Sequence, residues 1–495
     1  FFAMSNHFYH SNQIRQWEKR WFAQGNASYG LMQQAAWAVA TWIKRHYHPQ
    51  STTVICGTGN NGGDGWLVAA YLWQAHWPVQ VVSLGKGSSS DHQKAMQFAK
   101  DAGVPQQKFQ GNLPRSKLVV DAIFGIGLHR APTGDAMEVI DLLNQANTTV
   151  LALDVPSGVD ADTGQVWDGI AVQAEHTLCL LALKGGLVTG KAKNYIGDVH
   201  ILPLIPRDQD LEPMGKHINQ APKLPKRTTN SHKGTHGHAL LVGGDEGMAG
   251  AVLMAADAAE RSGAGKVTVL TRQEHVTAII ARSPNLMSRG LAADLANVEA
   301  MLDELMPQID SVAIGMGMGR GEWGQALWKA LLPYLLDAES VPAVVLDADA
   351  LYHLRDTDPL IYRRNNSHWH CTPHSGEAAR LLDFTIEEVE ADRFAAVEQL
   401  QQRYGGQWVL KGAGSVVLDS TGLTVCGLGN AGMAVGGMGD VLSGLTAGLL
   451  AQFPRYPLIE AVTLHAAAGD LAAAQGQRGM TALDVIEQIR AVVSA

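Results

Sequence analysis

Short β-rich runs alternate with helical stretches along the first half of the chain. The runs are Thr52–Cys56, Val79–Leu84, Leu118–Ile123, Thr149–Asp154 and Thr177–Leu183. Between the first two, Trp66–Trp77 is apolar at helical spacing and is preceded by glycines. That alternation predicts βαβ units in a parallel sheet. Near the start, Trp17 and Trp21 lie one helical turn apart, which predicts a packed N-terminal helix; a contact between copies of the chain is the alternative. From Leu204 to Asn230 periodicity stops, and Pro206, Pro213, Pro222 and Pro225 punctuate a polar stretch. A domain boundary is expected there, with residues 4–213 before it and 226–495 after it. Alternation then resumes with His238–Val242, Lys266–Leu270, Ser311–Ile314, Ala343–Asp347 and Trp408–Lys411. Ala/Gly-rich helices follow at Val441–Ala451 and Ile459–Ala474. No internal repeat links the halves, so two different α/β domains are expected.

Totals narrow this picture. A chain of 495 residues is too long for one core. With 46% apolar and 17% charged residues it is globular in composition. No apolar run approaches the ~18 residues that span a bilayer, and no basic segment precedes an apolar one at the N-terminus, so a cytoplasmic protein is expected. Phe1-Phe2-Ala3 before Met4 are read as foreign to the fold. Cys56, Cys179, Cys371 and Cys426 are scattered and form no C-x-x-C pair, which predicts buried, reduced thiols. The net charge of −9 and the lack of a basic stretch argue against nucleic acid as a partner.

Candidate chemistry in the first half begins where Thr52–Cys56 runs into Gly57-Thr58-Gly59-Asn60-Asn61-Gly62-Gly63-Asp64-Gly65. Strand, glycine loop and helix in that order present backbone N–H groups to an anion. Gly57, Gly59 and Gly62 spell G-x-G-x-x-G, but the second strand ends Val81-Val82-Ser83-Leu84 without the acidic residue that holds a ribose in dehydrogenases. Asp121 and Asp154 each close a strand and lead into a loop, Phe124-Gly125-Ile126-Gly127 and Val155-Pro156-Ser157-Gly158. Helix capping could explain either carboxylate alone. Three polar strand ends on one sheet edge instead define a ligand crevice.

At these residues the chain resembles the epimerase domain for NAD(P)H hydrates, over roughly Asn12–Leu204. The resemblance implies a Rossmann-like three-layer domain. It implies substrate contacts from Asn60, Asn61, Gly62, Gly63 and Asp64, and from Gly125, Ile126, Gly127, Leu128, His129, Arg130 and Ala131. It also implies Asp154 at the reacting ring and potassium held by Asn61, Asp121 and Ser157, whose oxygens suit a hard cation. The same domain type occurs as a non-catalytic module in RNA-associated scaffold proteins; Asp154 together with Asn60–Asp64 favours the enzyme.

In the second half, Asn430-Ala-Gly-Met-Ala-Val-Gly436-Gly-Met-Gly439-Asp440 opens a long helix. Glycines allow a tight anion-cradling turn, and a carboxylate at a helix start is expected to stay ionised and to accept a hydroxyl proton. Val409-Leu410-Lys411-Gly412-Ala413-Gly414-Ser415 ends a strand in a small-residue loop that a nucleotide could cross or that could equally be a hairpin; it is not a P-loop. His374 follows a strand in Thr372-Pro373-His374-Ser375-Gly376-Glu377 and lies beside a potential cleft, although a lone His is more often structural than functional.

Together with Leu241–Ala251 and Leu346–Leu351, these segments resemble the NAD(P)H-hydrate dehydratase domain of the ribokinase-like fold, from about Ser231 onward. The resemblance implies substrate contacts from Ala251, Gly317, His374 and Asp440, with Asp440 catalytic, and nucleotide contacts from Lys411, Gly412, Ala413, Gly414, Ser415 and Gly439. Two departures stand out. The family's G-P-G-L-G reads Gly315-Met316-Gly317-Met318-Gly319, and Ser375 replaces a common Pro, both of which bear on loop rigidity. The expected whole is an α/β chain, a Rossmann-like domain followed by a ribokinase-like one. It would interconvert R and S hydrates of NADH and NADPH and dehydrate the S form with ADP and magnesium, releasing AMP and phosphate. A different kinase of the ribokinase-like class is the alternative. Its partners are these small molecules, not a membrane or nucleic acid, and a homo-oligomer is expected.

Overall fold

The computed structural model describes residues 6–363 and 366–495; the extra residues before Met4 lie outside them. The chain divides into two units between His217 and Ile218. The division falls inside the stretch where periodicity stops, at a strand, Gly215–Ile218, that no pattern announced.

The first unit holds seven parallel strands in the spatial order Gln106–Lys108, Val79–Ser83, Thr52–Cys56, Leu118–Ala122, Thr149–Leu153, His176–Leu180 and Asp198–Leu202. Successive side chains alternate faces, and both faces are apolar. Val54, Val81, Val120 and Leu151 pack against helices Ser28–His46, Asn60–Gln74 and Ser90–Asp101. Ile55, Val82, Val119 and Val150 pack on helix Asp135–Gln145. The result is three layers, Rossmann-like. Chain order reverses between Thr52–Cys56 and Leu118–Ala122, the switch point at which such sheets open a crevice.

One expectation is corrected here. Residues 60–65 are not a loop leading to a helix at Trp66; the helix begins at Asn60 with Gly59 as its N-cap. Its glycines let it lie tightly on the sheet. A Cβ at Gly62 would stand 2.1 Å from the Gly57 carbonyl oxygen, and one at Gly65 would stand 2.6 Å from the Ala122 side chain. The last predicted run also breaks early, at Leu180, and Leu183–Lys184 pairs instead with Phe8–Tyr9. Trp17 is buried in helix Ser11–Ala23 and donates to the Pro206 carbonyl, as a packed helix requires.

The second unit has seven parallel strands, in the order Met287–Leu291, Lys266–Arg272, His238–Val242, Ser311–Ile314, Ala343–Leu346, Trp369–Cys371 and Gln407–Leu410. Val416–Asp419 and Gly422–Cys426 then continue antiparallel, so the Lys411–Ser415 loop is the bend of a hairpin. Helices Ala249–Arg261 and Met438–Gln452 cross at close range. A Cβ at Gly444 would stand 1.9 Å from the Ala255 carbonyl oxygen and one at Gly448 2.5 Å from that of Ala259. That contact fixes where the Gly436–Asp440 turn sits. All four cysteines are buried and none is in a disulfide.

Candidate functional site

Each unit carries its own cleft. In the first, a cleft of about 610 Å³ is lined by Asn60, Asn61, Asp64, Gly125, Ile126, Gly127, Leu128 and Asp154. Strand Thr149–Leu153 delivers Asp154 with φ of 70°, a left-handed conformation that a non-glycine residue adopts at some cost and that recurs at functional sites. Glu18 from the N-terminal helix and Lys184, which no sequence pattern singles out, are among the other residues of the lining. Lys184 is fully buried; its ammonium donates to Asp154 Oδ1 at 2.5 Å and to the Leu180 carbonyl. Burial works against its charge, but Asp154 outweighs it and holds the Lys184 pKa above the ordinary lysine value. Burial also raises Glu18 and, with Asp154 and Glu18 nearby, carries Asp64 well above the usual carboxylate range. The floor therefore holds the buried Lys184–Asp154 ion pair beside two carboxyls whose pKa values are pushed upward.

Gly62 and Gly63 are buried packing positions outside this lining, and His129, Arg130 and Ala131 also fall outside it. The half-exposed His129 instead pairs with buried Asp160 at 3.2 Å.

Beneath the cleft floor, Asp121 accepts hydrogen bonds from the Ser157 hydroxyl at 2.6 Å and the Ser157 N–H at 2.8 Å. The Asn61 amide donates to the Leu153 carbonyl at 3.3 Å, while its buried Oδ1 has no hydrogen-bond partner among the described residues. Burial pushes the Asp121 pKa up to about 6, against the hydrogen bonds from Ser157 and Ile123. An orphaned acceptor and a buried carboxylate that follow or end adjacent strands are a donor set that fits a hard monovalent cation.

In the second unit Asp440 stands in the first turn of helix Met438–Gln452, whose N-cap is Gly437 with φ of 90°. No side chain caps this helix, so capping does not explain Asp440. The expectation that it stays ionised is corrected. Burial first, then the neighbouring Asp347, raises its pKa to about 7 against the pull of Lys411. Lys411 pairs with Asp347 at 2.9 Å and lies 3.9 Å from Glu377. Ser443 donates to Asp347 at 2.8 Å. Burial opposes ionisation of Asp347, yet Lys411 and these hydrogen bonds hold it below the usual carboxylate value. Glu377, raised to about 7 by burial, is the third carboxyl of the group.

The Lys411–Ser415 bend is held from behind by Arg393, a buried guanidinium that pairs with Glu390 and donates to the Leu410 and Lys411 carbonyls at 2.9 and 3.1 Å. Gly439 lies beside Lys411, since a Cβ there would stand 3.0 Å from the Lys411 ammonium. Gly317, with φ of 60°, touches Ala251: a Cβ on it would stand 3.2 Å from the Ala251 methyl. Gly315 is as constrained, with φ of 123° and the Asp347 carbonyl oxygen 1.8 Å from a hypothetical Cβ. Both flanking methionines, Met316 and Met318, are fully buried, so packing supplies the rigidity that a proline would.

His374 has a structural role and an open one. It is the N-cap of helix Ser375–Leu382, its Nδ1 accepting from the Gly376 N–H while Glu377 reaches back to its own N–H. Accepting at Nδ1 places the ring proton on Nε2, and partial burial with Lys411 nearby shifts its pKa downward. Ser375, in place of the common proline, donates to Glu390 and accepts from Arg393 at 3.3 Å. It therefore joins the network behind the hairpin bend.

Comparisons with known proteins agree across both units. Residues 239–491 match the family described as NAD(P)H-hydrate dehydratase, and residues 28–186 match the family described as YjeF-related protein N-terminus. A bifunctional NAD(P)H-hydrate repair enzyme of Vibrio cholerae is 40% identical, covering 99% of this chain and 99% of its own. Its Escherichia coli counterpart is 38% identical over 95% of this chain and 90% of its own. Among solved structures, an ADP/ATP-dependent NAD(P)H-hydrate dehydratase from Bacillus subtilis is 27% identical. It covers 55% of this chain and 93% of that one, with a TM-score of 0.45.

Proposed function

The chain belongs to the bifunctional NAD(P)H-hydrate repair enzymes, and we propose that its two clefts divide the repair between them. It is an enzyme with an epimerase domain and a nucleotide-dependent dehydratase domain, and it restores hydrated NADH and NADPH. In our reading the first cleft interconverts R and S hydrates. Asp154 and Lys184 face the hydrated ring as an acid/base pair. The hydrate carries its hydroxyl on a carbon next to nitrogen, so a proton given to that hydroxyl lets water leave as the ring nitrogen supplies electrons. Return of water to the other face, with the proton taken back, gives the other epimer. Asn61, Asp121 and Ser157 would hold potassium, which supplies fixed positive charge beside the substrate.

The second cleft dehydrates the S hydrate. Asp440 accepts the hydroxyl proton, and the hydroxyl oxygen attacks the terminal phosphorus of ADP, breaking the bond to AMP. Lys411 and the Gly436–Gly439 backbone neutralise the transferring group. Phosphate then leaves with the C–O electron pair, and loss of a proton from the adjacent carbon restores the ring double bond. Asp347 and Glu377, two carboxyls beside Lys411, would hold a magnesium ion, which would add charge compensation for the phosphates and leave Asp440 as the base. The observation that carries this reading is Asp440, a carboxylate at a helix start that caps nothing and titrates near neutrality.

The test is to mix the protein with NADH hydrates, ADP and magnesium and to follow NADH absorbance. Complete recovery of both epimers with release of phosphate is expected. A stable phosphorylated product without recovered NADH would instead mark a small-alcohol kinase.

A further inference from the structure

Beside His374 lies a smaller cavity of about 210 Å³, lined by Arg320, Tyr352, His374, Glu377 and Arg380 among others. Two guanidiniums cover the ring of Tyr352: that of Arg380 lies 3.6 Å from the ring centroid and that of Arg320 4.8 Å. Arg380 is tethered, donating to the Tyr352 carbonyl at 3.1 Å and lying 3.5 Å from Asp356. Arg320 differs. Its Nε donates to Asp349 at 2.9 Å, which orients the side chain, while its two terminal nitrogens make no hydrogen bond among the described residues. The Arg320 side chain is 59% exposed. Its charge reaches the site, for Arg320 helps to lower the pKa of both His374 and Glu377.

We propose that this cavity is a phosphate subsite for the hydrated dinucleotide, with Arg320 as the residue that reads the phosphate. The inference rests on the reading of the second cleft as the dehydratase site. A guanidinium anchored through Nε presents a two-pronged donor edge that matches two phosphoryl oxygens. The His374 Nε2–H, whose proton is fixed by the Nδ1 cap and which lies 3.5 Å from Glu377 Oε1, is a further donor at the cavity only when it turns from that carboxylate. Stacking on Tyr352 limits the rotamers of Arg320, so less entropy is lost on binding. The dinucleotide offers two sources for that chemistry, its pyrophosphate and, in NADPH, the 2′-phosphate. Neither group reacts, so the contact acts equally on ground and transition states and belongs in KM rather than kcat.

The experiment compares wild type, Arg320→Lys and Arg320→Gln on the S hydrates of NADH and NADPH at saturating ADP. Losing a charge-assisted pair should raise KM on the order of tenfold in Arg320→Gln, with kcat within about twofold and Arg320→Lys in between. An equal rise for both hydrates assigns the pyrophosphate; a rise for the NADPH hydrate alone assigns the 2′-phosphate. Unchanged KM for both overturns the subsite. NADPH, a product, reports the same contact without turnover through its fluorescence on binding. Arg320→Gln should bind it about tenfold more weakly. If wild type fails to turn over hydrates while that affinity difference holds, the dehydratase reading fails and the subsite stands. Equal NADPH affinities refute the subsite whatever the turnover.

Discussion

The two clefts solve opposite electrostatic problems. In the first, one buried lysine and one carboxylate form an ion pair at 2.5 Å, and the neighbouring Glu18 and Asp64 are biased toward their neutral forms. In the second, a single lysine serves three carboxyls, two of which titrate near 7. A site that only passes a proton to and from a hydroxyl needs a donor and an acceptor side by side, with little net charge to move. A site that transfers a phosphoryl group must manage several negative charges, and surplus carboxylates make sense there only with added cations. The backbone follows the same division. Asn60–Gly65 is straight helix packed on strand Thr52–Cys56, whereas Gly437 turns left-handed to open its helix end.

The sharpest way to break this comparison is to remove one carboxylate from each cleft. Asp440→Asn keeps the shape but not the base, and NADH recovery should fall by roughly 10²–10⁴-fold while nucleotide binding and epimerisation persist. Asp154→Ala should do the converse, repairing S hydrate at the normal rate and stalling with R hydrate left over, apart from slow spontaneous exchange. Mixing the two variants should restore full recovery, because the shared intermediate diffuses between molecules. Amplitude and rate of absorbance recovery from an epimer mixture measure all three. Loss of epimerisation in Asp440→Asn, or failure of the mixture to complement, would refute two separate sites.

How far these sites could be read from the chain differs by residue. The strands and the Gly436–Asp440 turn were legible because alternation and glycine spacing are local signals. Asn60, Asn61, Asp64, Gly125–Leu128 and Asp154 line one cleft because each lies in the segment that comes after a strand located by periodicity. Lys184 and Glu18 were not legible. Lys184 is a lone cation after an apolar run, and Glu18 arrives from a helix far away in sequence; neither has a periodic signature. Glu377 lies in Thr372–Glu377, but its partnership with Lys411 joins the first turn of helix Ser375–Leu382 to the end of strand Gln407–Leu410 and is visible only in three dimensions. The upward shift of Asp440 is not legible, because the helix field can be read from the chain, whereas burial and a neighbouring Asp347 cannot.

An intermediate effect tests the shifted carboxyls. With Asp440 near 7, dehydration should decline about tenfold per pH unit below pH 7 as the base takes up a proton. The same shift has a stability consequence. The folded pKa lies above the ordinary carboxylate value, so the folded state binds the extra proton between about pH 4 and 7 and loses stability as pH rises through that window. Asp440→Asn escapes this loss. It should melt above wild type at pH 8, with the difference closing below pH 5. Parallel melting curves at both pH values would remove the charge-crowding account of the second cleft.

The smallest effect belongs beneath the first cleft. The orphaned Asn61 Oδ1 and the buried Asp121, raised to about 6, together ask for a cation, and Ser157 adds a hydroxyl oxygen already bonded to Asp121. Such an ion would position the substrate rather than react, so replacing potassium with tetramethylammonium should slow epimerisation by about tenfold or less. Dehydration, in the other unit, should not change. Because the ligand carboxylate must be ionised, the potassium concentration needed for half-maximal effect should rise as pH falls below 6. Binding to the folded state alone also raises the melting temperature with potassium concentration, a readout independent of turnover. Asn61→Ala should weaken both responses, because it removes the one ligand oxygen that has no other partner. Epimerisation and melting that are indifferent to the cation in wild type would leave Asn61 Oδ1 unexplained and end the case for an ion there.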